Sequence, residues 1–576
     1  MPNDIRIVQL SFAKKAQAQP DYRFHDLYFL ICREDWIAMA LERVLSNQGT
    51  RTAGIDGITR EGLETQEARQ EFAQQLRQEL KAKTYQPSPV RRIWIPKPGK
   101  DEKRPLGIPT IKDRVVQQLL RMLLEPIWEA DFLPVSHGFR PGHRTMDCIR
   151  PLWRHINRTQ KFWWVIEGDI STCFDRVNHQ ILLRLIARRI DDKHVMQLLK
   201  MLLRAGVMED GVVHTTEEGT PQGGILSPML ANIYLHELDA WWHRNWGDLT
   251  QNQKRWRREK GRRDGTGEGS VLYWRYADDF ILLTNGTKMY AYQVREQLCQ
   301  FLKDELHLEL NMEKTKVTHV SDGLDFLGFH VQWMTPPRNK PWLRITPSDK
   351  NIQRFKAKIR DMTASYRGHD APDQKIAAIN MITSGWINYY RYCNAKAIAH
   401  KLDFWVNQRL IKWANRKHNK GVRYVLRLYR TRQIEGNRNR WNLRVINSQG
   451  EPVWLFKMSD VTIKRYQDRS ASSWQNPYLD TSREVLIVDG EMPLDNLAWS
   501  GSSSKAEQKD WARKAREEVS YTCQNCGRSV LAGEAVQLHT HHRVPKSKGG
   551  QHHPDNAKVL CQECHVKAHK VSTSST

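Results

Sequence analysis

The chain has 576 residues, enough for roughly three to five domains of ordinary size. Its 90 Lys and Arg outnumber its 64 Asp and Glu, and the formal net charge of +26 predicts a polyanionic partner, either nucleic acid or an acidic membrane surface. No apolar run approaches the ~20 residues that span a bilayer, and the N-terminus lacks the apolar core of a signal peptide. We therefore expect no membrane partner.

Helical and β patterns alternate through the first part of the chain. REDWIAMALERVLSNQG (33–49) and EFAQQLRQELKAKTY (71–85) predict helices, and the pattern is helical again from Asp113 to Trp128. RRIWIPKPGKDEKRPLGIPT (91–110) contains two short β-like runs around a basic Pro/Gly turn. FWWVIEGDI (162–170) predicts a strand because of its aromatic and β-branched residues, and a long helix is expected to begin near Asn178.

The next stretch predicts a loop, a hairpin, a helix and a strand in that order. EKGRRDGTGEGS (259–270) is polar and rich in glycine, which predicts a loop, and RYADDFILLT (275–284) follows it. The dipeptide at 285–286 is a turn signal, after which an amphipathic helix should run to about Leu306. LDFLGFHVQW (324–333) predicts one further strand.

Two adjacent carboxylates, Asp278 and Asp279, interrupt an otherwise apolar run. Leaving like charges side by side without water costs several kcal/mol unless a positive group joins them. We interpret the run as a β-hairpin with both carboxylates at its turn, and Asp169, which ends a predicted strand, is a third candidate. Three carboxylates on strand ends can hold two Mg²⁺ ions. A solvated turn is the alternative for the dipeptide alone.

Longer motifs surround these carboxylates in a fixed order. They are GIDGI (54–58), IPKPGKDEKRPLGIPTIKDRVVQQ (95–118), DISTCFD (169–175), GTPQGGILSPMLANIYL (219–235), YADD (276–279) and LGF (327–329). In these motifs, over roughly residues 30–335, the chain resembles reverse transcriptases and more closely the proteins encoded by group II introns. The resemblance implies a right-hand polymerase, with fingers and a palm built on an antiparallel sheet, which uses deoxynucleoside triphosphates.

The resemblance also assigns site residues. Asp169, Asp278 and Asp279 match the metal-binding aspartates, and Phe174 matches the aromatic residue that excludes a ribose 2′-hydroxyl. The other implied nucleotide-binding residues are Lys97, Arg104, Gln222 and Lys314. In isolation, Phe174 would be a core residue and Lys314 a surface lysine. Gly223 and Gly224, beside Gln222, permit close backbone approach.

Helical patterns rich in Lys and Arg follow from Thr346, which is the predicted cap of a helix with Pro347 in its first turn. Residues 404–433 contain no acid, and their basic residues are interleaved with Trp413, Tyr424 and Tyr429, which favours a phosphate-tracking surface over a solvated face. SGWINYYRY (384–392) resembles the maturase region of group II intron proteins, which binds intron RNA. The predicted RNA-binding residues are Arg409, Lys412, Arg416 and Lys417.

Cysteines and histidines cluster near the C-terminus. CQNC (523–526) and CQEC (561–564) supply four thiolates, the ligand set of a structural Zn²⁺ site at Cys523, Cys526, Cys561 and Cys564. A zinc ribbon alone is the simpler alternative. HTHHRVP (539–545) and DNAKVLCQECHVKAH (555–569) resemble the HNH endonucleases, whose fold of two strands and a helix surrounds a catalytic metal. The resemblance makes His542 the general base, Asn556 its supporting residue, and His541, His565 and His569 the ligands of a divalent ion, expected to be Mg²⁺.

These patterns together predict a multidomain α+β protein. The expected regions are fingers and palm at 1–335, an α-helical thumb and maturase domain at 336–440, a DNA-binding region and linker at 441–510, and the HNH domain with its ribbon-like four-cysteine site at 511–576. The expected partners are intron RNA, target DNA and deoxynucleoside triphosphates. The expected location is the cytoplasm of a bacterium, with an organelle as the open alternative. The alternatives are a splicing cofactor with degenerate catalytic sites, which the intact carboxylates disfavour, and a domesticated or defence reverse transcriptase.

Overall fold

The structure is a computed structural model that describes most of the chain. The described residues are 5–96, 103–157, 162–209, 212–214, 218–219, 223–337, 340–364, 371–435, 438–465, 476–479, 524–526, 538–542, 557–561 and 564. Among them, no helix combines the length and the apolar character needed to cross a membrane. The chain divides into two units. The first comprises Met1–Gly368, Tyr390–Leu428 and Met458–Glu491, and the second His369–Tyr389, Tyr429–Lys457 and Met492–Thr576.

The described α-helices are numbered in chain order. They are α1 Ile5–Ala18, α2 Tyr28–Ile31, α3 Glu34–Ser46, α4 Gln66–Ala82, α5 Ile111–Asp131, α6 Thr145–Asn157, α7 His179–Ala187, α8 Lys193–Leu203, α9 Ser227–Trp242, α10 Gln251–Arg263, α11 Lys288–Leu306, α12 Asp349–Met362, α13 Pro372–Tyr390, α14 Lys396–His418 and α15 Val422–Tyr429. The long helix expected from Asn178 is instead the short α7, for which Asn178 is the N-cap.

The described strands are numbered in the same way. They are β1 Val90–Pro96, β2 Lys103–Ile108, β3 Ser136–His137, β4 Trp164–Gly168, β5 Val207–Glu209, β6 Val212–His214, β7 Val271–Tyr276, β8 Asp279–Thr284, β9 Val317–His319, β10 Leu324–Phe326, β11 Phe329–Met334, β12 Trp342–Pro347, β13 Arg430–Glu435, β14 Arg438–Ile446, β15 Pro452–Trp454, β16 Leu538–His542 and β17 Ala557–Cys561.

The core of the first unit lies around α5, most of whose residues are buried. Apolar side chains of α3, α4, α9 and α11 join the same cluster as those of α5. The first unit contains two larger sheets. One has five strands in the order β3-β7-β8-β4-β9, and the other has four strands in the order β2-β1-β5-β6. The two short β runs predicted around the basic turn are confirmed as β1 and β2, which pair antiparallel.

Two elements of the first unit differ from the sequence-based predictions. The loop expected at 259–270 begins with the last turn of α10, which ends at Arg263. The strand expected at 324–333 is a hairpin, because Leu327 and Gly328 turn the chain with φ values of 48° and 81° between β10 and β11. The cap of α12 is also shifted. Ser348 accepts a hydrogen bond from the Asn351 amide, while Thr346 and Pro347 belong to β12.

The second unit contains a sheet that helical patterns did not predict. Strands β13, β14 and β15 form a three-stranded antiparallel sheet, so the predicted domain boundary at 440/441 falls inside β14. The side chain of Asn380 on α13 connects that helix to β15. Its Nδ2 donates to the Trp454 carbonyl at 2.8 Å, and its Oδ1 accepts from Phe456 N at 2.8 Å. Strands β16 and β17 pair antiparallel.

A short segment from the predicted linker region packs in the first unit. Tyr478 is only 6% exposed, and its hydroxyl donates to Glu125 Oε2 on α5 at 2.7 Å. Burial and the adjacent Glu125 carboxylate raise the pKa of Tyr478 far above its ordinary value, so the phenol remains a hydrogen-bond donor. Residues 476–479, within the predicted DNA-binding region and linker at 441–510, are therefore packed in the first unit.

Candidate functional site

Three carboxylates converge where two hairpin strands and their neighbour end. β7 and β8 pair up to Tyr276 and Asp279, so Ala277 and Asp278 form a two-residue turn. β4 pairs with β8 so that Gly168 faces Phe280, which brings Asp169 beside the turn. Gly168 is required there because a Cβ would lie 1.9 Å from the Phe280 ring. The predicted hairpin and the strand-end position of Asp169 are confirmed.

The carboxylates of this turn are electrostatically unfavourable as a group. Loss of hydration and the neighbouring charge of Asp169 raise the pKa of Asp278. Asp279 is solvent-exposed as a residue, yet partial loss of hydration at its carboxyl and the repulsion of Asp278 and Asp169 raise its pKa to about 7. A bound cation would relieve both the repulsion and the loss of hydration.

One positive side chain already lies at the site. Lys314 Nζ contacts Asp169 Oδ2 at 2.6 Å. The backbone fixes this pair, since Asn311 N donates to the Asp169 carbonyl at 2.9 Å and Lys314 N to the Asn311 carbonyl at 3.1 Å. Oxygen ligands and a negative charge that Lys314 only partly offsets fit a divalent-cation site.

Arg275, which sequence reasoning left without a role, supports the turn from beneath. Its guanidinium is fully buried and donates to both oxygens of Asp239, at 2.8 and 2.6 Å. It also donates to Asn232 Oδ1 at 2.9 Å, to Ser136 Oγ at 2.7 Å and to the Ala277 carbonyl at 2.8 Å. The bond to the Ala277 carbonyl fixes the backbone directly before Asp278. Ala277 has a φ of 56° there. The sequence signal for this role is an arginine at a buried position of a mainly apolar strand.

Charge compensation keeps this pair ionised. Burial opposes the charges, but the Arg275 guanidinium holds the pKa of Asp239 below its ordinary value, and Asp239 raises that of Arg275. The Tyr273 hydroxyl also donates to Asp239 Oδ1 at 2.8 Å. A buried, hydrogen-bonded ion pair therefore supports the turn that carries Asp278.

A histidine pair lies behind the same hairpin. His137 Nδ1 and His143 Nδ1 are 2.7 Å apart, and ligand atoms of His137, His143 and Asp147 lie within 4.8 Å of one another. Burial and the guanidinium charges of Arg140 and Arg275 lower the pKa of His137 to about 3. The His137 carbonyl on β3 accepts from Ala277 N at 3.0 Å, so β3 also holds the turn that carries Asp278.

The other predicted nucleotide-binding residues are only partly described. Phe174 lies half-buried in the single 3₁₀ turn Cys173–Asp175, shortly after β4. Gly223 has a φ of 112°, and a Cβ there would lie 2.5 Å from the Gly107 carbonyl oxygen of β2, so close backbone approach is a feature of this loop. Lys97 and Gln222 lie outside the described residues, and the side chain of Arg104 does as well.

Two of the predicted RNA-binding residues have partners within the fold. Arg409 Nε donates to Thr363 Oγ1 at 3.1 Å, and Arg416 donates to the Thr363 carbonyl, so both hold the C-terminal end of α12. Lys412 is exposed, and Lys417 Nζ lies 5.9 Å from the centre of the Trp413 ring. Trp413 itself is only 2% exposed, so its predicted place on a phosphate-tracking surface is wrong, whereas Tyr424 is 46% exposed.

The cysteine-rich region is described in short pieces. Gln524 N donates to the Val559 carbonyl at 2.9 Å, and Gln524 Oε1 accepts from Val559 N at 2.9 Å. Asn525 Nδ2 lies 3.5 Å from Cys564 Sγ. These contacts bring the segment that contains Cys526 next to Cys564. Cys523, Asn556, His565 and His569 lie outside the described residues, as do the side chains of His541, His542 and Cys561.

Comparison with known protein families finds three matches, in the same order along the chain as the predicted regions. Residues 95–331 match the reverse transcriptase (RNA-dependent DNA polymerase) family, residues 352–430 the maturase-specific domain of group II introns, and residues 523–570 the HNH endonucleases. The chain belongs to the family of group II intron-encoded proteins. It combines an RNA-directed DNA polymerase, a maturase region and a DNA endonuclease, and polymerases and endonucleases of these families generally use divalent metals.

Individual relatives align with a little more than half of the chain. Protein YkfC of Escherichia coli (strain K12) is 40% identical over 335 residues, which cover 56% of this chain and 87% of YkfC. Group II intron-encoded protein LtrA of Lactococcus lactis subsp. cremoris is 35% identical over 359 residues, 56% of this chain and 59% of LtrA. The putative COX1/OXI3 intron 2 protein of Saccharomyces cerevisiae is 29% identical over 350 residues, 55% of this chain and 40% of that protein. The alignments to LtrA and to the yeast protein thus span less than two thirds of those proteins.

Proposed function

We propose that Asp169, Asp278 and Asp279 form the polymerase site that copies intron RNA into DNA, with Mg²⁺ as the bound cation. The observation that carries this proposal is the convergence of the three carboxylates at the ends of β4, β7 and β8. Two Mg²⁺ ions held there would activate a primer 3′-hydroxyl and stabilise the leaving pyrophosphate. The five-stranded sheet would then be the palm, and the sheet containing β1 and β2 would belong to the fingers.

The predicted nucleotide-binding residues would select and hold the incoming deoxynucleoside triphosphate. Phe174 would exclude a 2′-hydroxyl by contact with the sugar, and Gln222 would line the pocket. Lys97, Arg104 and Lys314 would supply positive charge for the triphosphate. Lys314 is the best supported of these three, because its ammonium already lies against Asp169.

The helices matched to the maturase domain would bind the intron RNA and help it to fold and splice. Support comes from the stretch without acids at 404–433 and from the exposure of Lys412, Arg423 and Arg427. Arg409, Arg416 and Lys417 complete the predicted surface. Because Arg409 and Arg416 also hold α12, we propose that they position the surface as well as contribute charge to it.

The C-terminal module would cut one strand of the target DNA. His542 would take the proton of the attacking water, Asn556 would support that histidine, and a divalent ion at His541, His565 and His569 would stabilise the cleaved phosphate. Cys523, Cys526, Cys561 and Cys564 would hold a separate structural Zn²⁺. The contact between Asn525, which lies within the first cysteine pair, and Cys564 supports this proposal.

The two active sites would act in sequence, because the cut made by the endonuclease provides the primer 3′-hydroxyl for the polymerase. A reaction of the full chain, its intron RNA and a labelled target duplex tests this order. Wild-type protein should give a nicked strand and then an extended strand. His542→Ala should give neither, but should extend a pre-nicked target at the wild-type rate. Nicking by His542→Ala at the wild-type rate, or its failure on the pre-nicked target, would contradict the proposal.

A further inference from the structure

Helix α10 carries positive charge that neither the polymerase site nor the maturase-matched helices account for. Glu259 is its only acid, against basic residues in every turn. The helix begins with a capping box, in which the Thr250 side chain accepts from Gln253 N and the Gln253 side chain accepts from Thr250 N. It is therefore an ordered helix with its own start signal.

One narrow face attaches α10 to the rest of the unit. Lys254, Arg257 and Gly261 are spaced by three and four residues and are the least exposed residues of the helix. Arg257 donates to the Asn245 carbonyl at 2.9 Å. At Gly261 a Cβ would lie 2.5 Å from Glu268 N, so the absence of a side chain lets the helix lie directly on the following backbone. These contacts fix which faces of α10 point to solvent.

The solvent-facing sides combine arginines with an aromatic ring. Arg255, Arg258 and Arg262 share one side over about 10 Å of helix, and all three are exposed. Arg255 pairs with Glu259 at 2.8 Å, an exposed pair that is worth little. On the next side Trp256 is 55% exposed, with Lys260 Nζ 5.3 Å from its ring centre. Arginines for phosphates beside an indole free to stack are the elements of nucleic-acid recognition.

Helix α10 contacts the chain near the start of β7, at the end of that strand away from the carboxylates. Glu268, against which Gly261 packs, lies shortly before β7 begins at Val271, whereas the turn with Asp278 lies at the other end of that six-residue strand. The strand alone spans about 20 Å. A nucleic acid on α10 is therefore not the primer end at the carboxylates.

We infer that α10 is a docking surface for structured RNA, which it binds by phosphate contacts to its arginine side and by stacking of one unpaired base on Trp256. The inference rests on the proposed partnership with intron RNA and adds a contact outside the maturase-matched residues. RNA is the partner that fits, because its loops and bulges present unstacked bases, whereas duplex DNA keeps its bases stacked and out of reach of an indole.

Binding of full-length protein to intron RNA at several salt concentrations tests the inference. The variant Arg255→Gln, Arg258→Gln, Arg262→Gln should lower affinity by tenfold or more and reduce the salt slope by up to about 0.7–0.9 for each phosphate that is no longer neutralised. The matched control Lys81→Gln, Lys193→Gln, Lys303→Gln removes the same charge from three exposed sites on separate helices and should change affinity less than about threefold. Trp256→Ala should weaken binding about fivefold without changing the slope, and Trp256→Phe should restore it.

Primer extension on a short oligonucleotide template serves as the second measurement. All these variants should extend it within about twofold of wild type, since α10 lies away from the carboxylates. Equal RNA affinity and slope for the triple variant and wild type would overturn the inference, as would loss of duplex DNA binding with RNA binding intact. A wild-type protein that neither extends primers nor binds the intron RNA would instead overturn the proposed function.

Discussion

Arg275 is the residue whose loss should disturb the turn that carries Asp278 most without touching a substrate. Arg275→Met would leave Asp239 buried and unpaired, a change that costs about 3–5 kcal/mol. Hydrogen exchange of the β7 and β8 amides should then accelerate by roughly a hundredfold or more, and DNA synthesis should fall because the Ala277 carbonyl loses its donor.

The exposed pair of Arg188 and Glu237 provides the control for that measurement. Its N–O distance is 2.6 Å, but the Arg188 side chain is 57% exposed. Arg188→Met should cost no more than about 1 kcal/mol and should leave hairpin exchange unchanged. Equal effects of the two substitutions would mean that the buried ion pair does not support the hairpin.

The raised pKa of Asp279, about 7, makes cation binding at this site sensitive to pH. Below that value the carboxyl is largely protonated, and a proton must leave before a cation binds. Mg²⁺ affinity should therefore increase by up to about tenfold per pH unit between pH 6 and 7, and level off above pH 8. Calorimetric titration at several pH values measures this. Asp279→Asn should remove most of the pH dependence, and a pH-independent wild-type affinity would contradict the assignment.

At the scale of elements, prediction succeeded where the local pattern is strong. The hairpin of β7 and β8 follows from the apolar residues on both sides of Asp278 and Asp279, and the helix α11 follows from a helical pattern. The turn between β10 and β11 was missed because Leu327, a residue rarely found at positive φ, stands in it. Helix α10 was missed because it is polar on nearly every side and contains Gly261, which only its contact with Glu268 explains. The sheet of β13–β15 depends on tertiary pairing of strands rich in charged residues.

The helices α14 and α15 carry the prediction for RNA binding by the maturase region. Replacing Lys412 and Lys417 together by Ala should lower the salt slope of intron RNA binding by up to about 0.7–0.9 for each phosphate that these lysines neutralise. Arg409→Ala with Arg416→Ala should also lower the melting temperature, since both residues hold Thr363. A slope unchanged by the lysine pair would show that this face is only solvated.

Mutation should distinguish the roles of the two metals proposed for the C-terminal module. Cys523→Ser opens the thiolate set, and a module of this size depends on its metal for folding, so zinc content and nicking should be lost together. His542→Ala removes no proposed ligand, so zinc should stay at the wild-type level while nicking disappears. Metal analysis and nicking assays on both full-length variants test this. Loss of zinc from His542→Ala would refute the separation.

For the whole molecule, the order of motifs along the sequence was enough to predict the kinds of site but not what holds them. Asp169, Asp278 and Asp279 could be found because acids at strand ends stand out locally. The pairing of Arg275 with Asp239 joins residues on β7 and α9, and the burial of Tyr478 against Glu125 joins residues 353 positions apart. Such contacts depend on the packed fold and leave little local pattern. For the same reason, Trp413 could not be told from a surface aromatic.

The central claim, that the carboxylate turn is the site of DNA synthesis, is tested most directly by primer extension on an RNA template with Asp278→Asn. This substitution keeps the shape of the side chain and removes one charge. Asp248→Asn, at an exposed position, is the control with the same chemical change. We predict that Mg²⁺-dependent synthesis falls at least about a hundredfold for Asp278→Asn, with intron RNA affinity within twofold of wild type, and that Asp248→Asn is unaffected. Undiminished synthesis by Asp278→Asn would contradict the account.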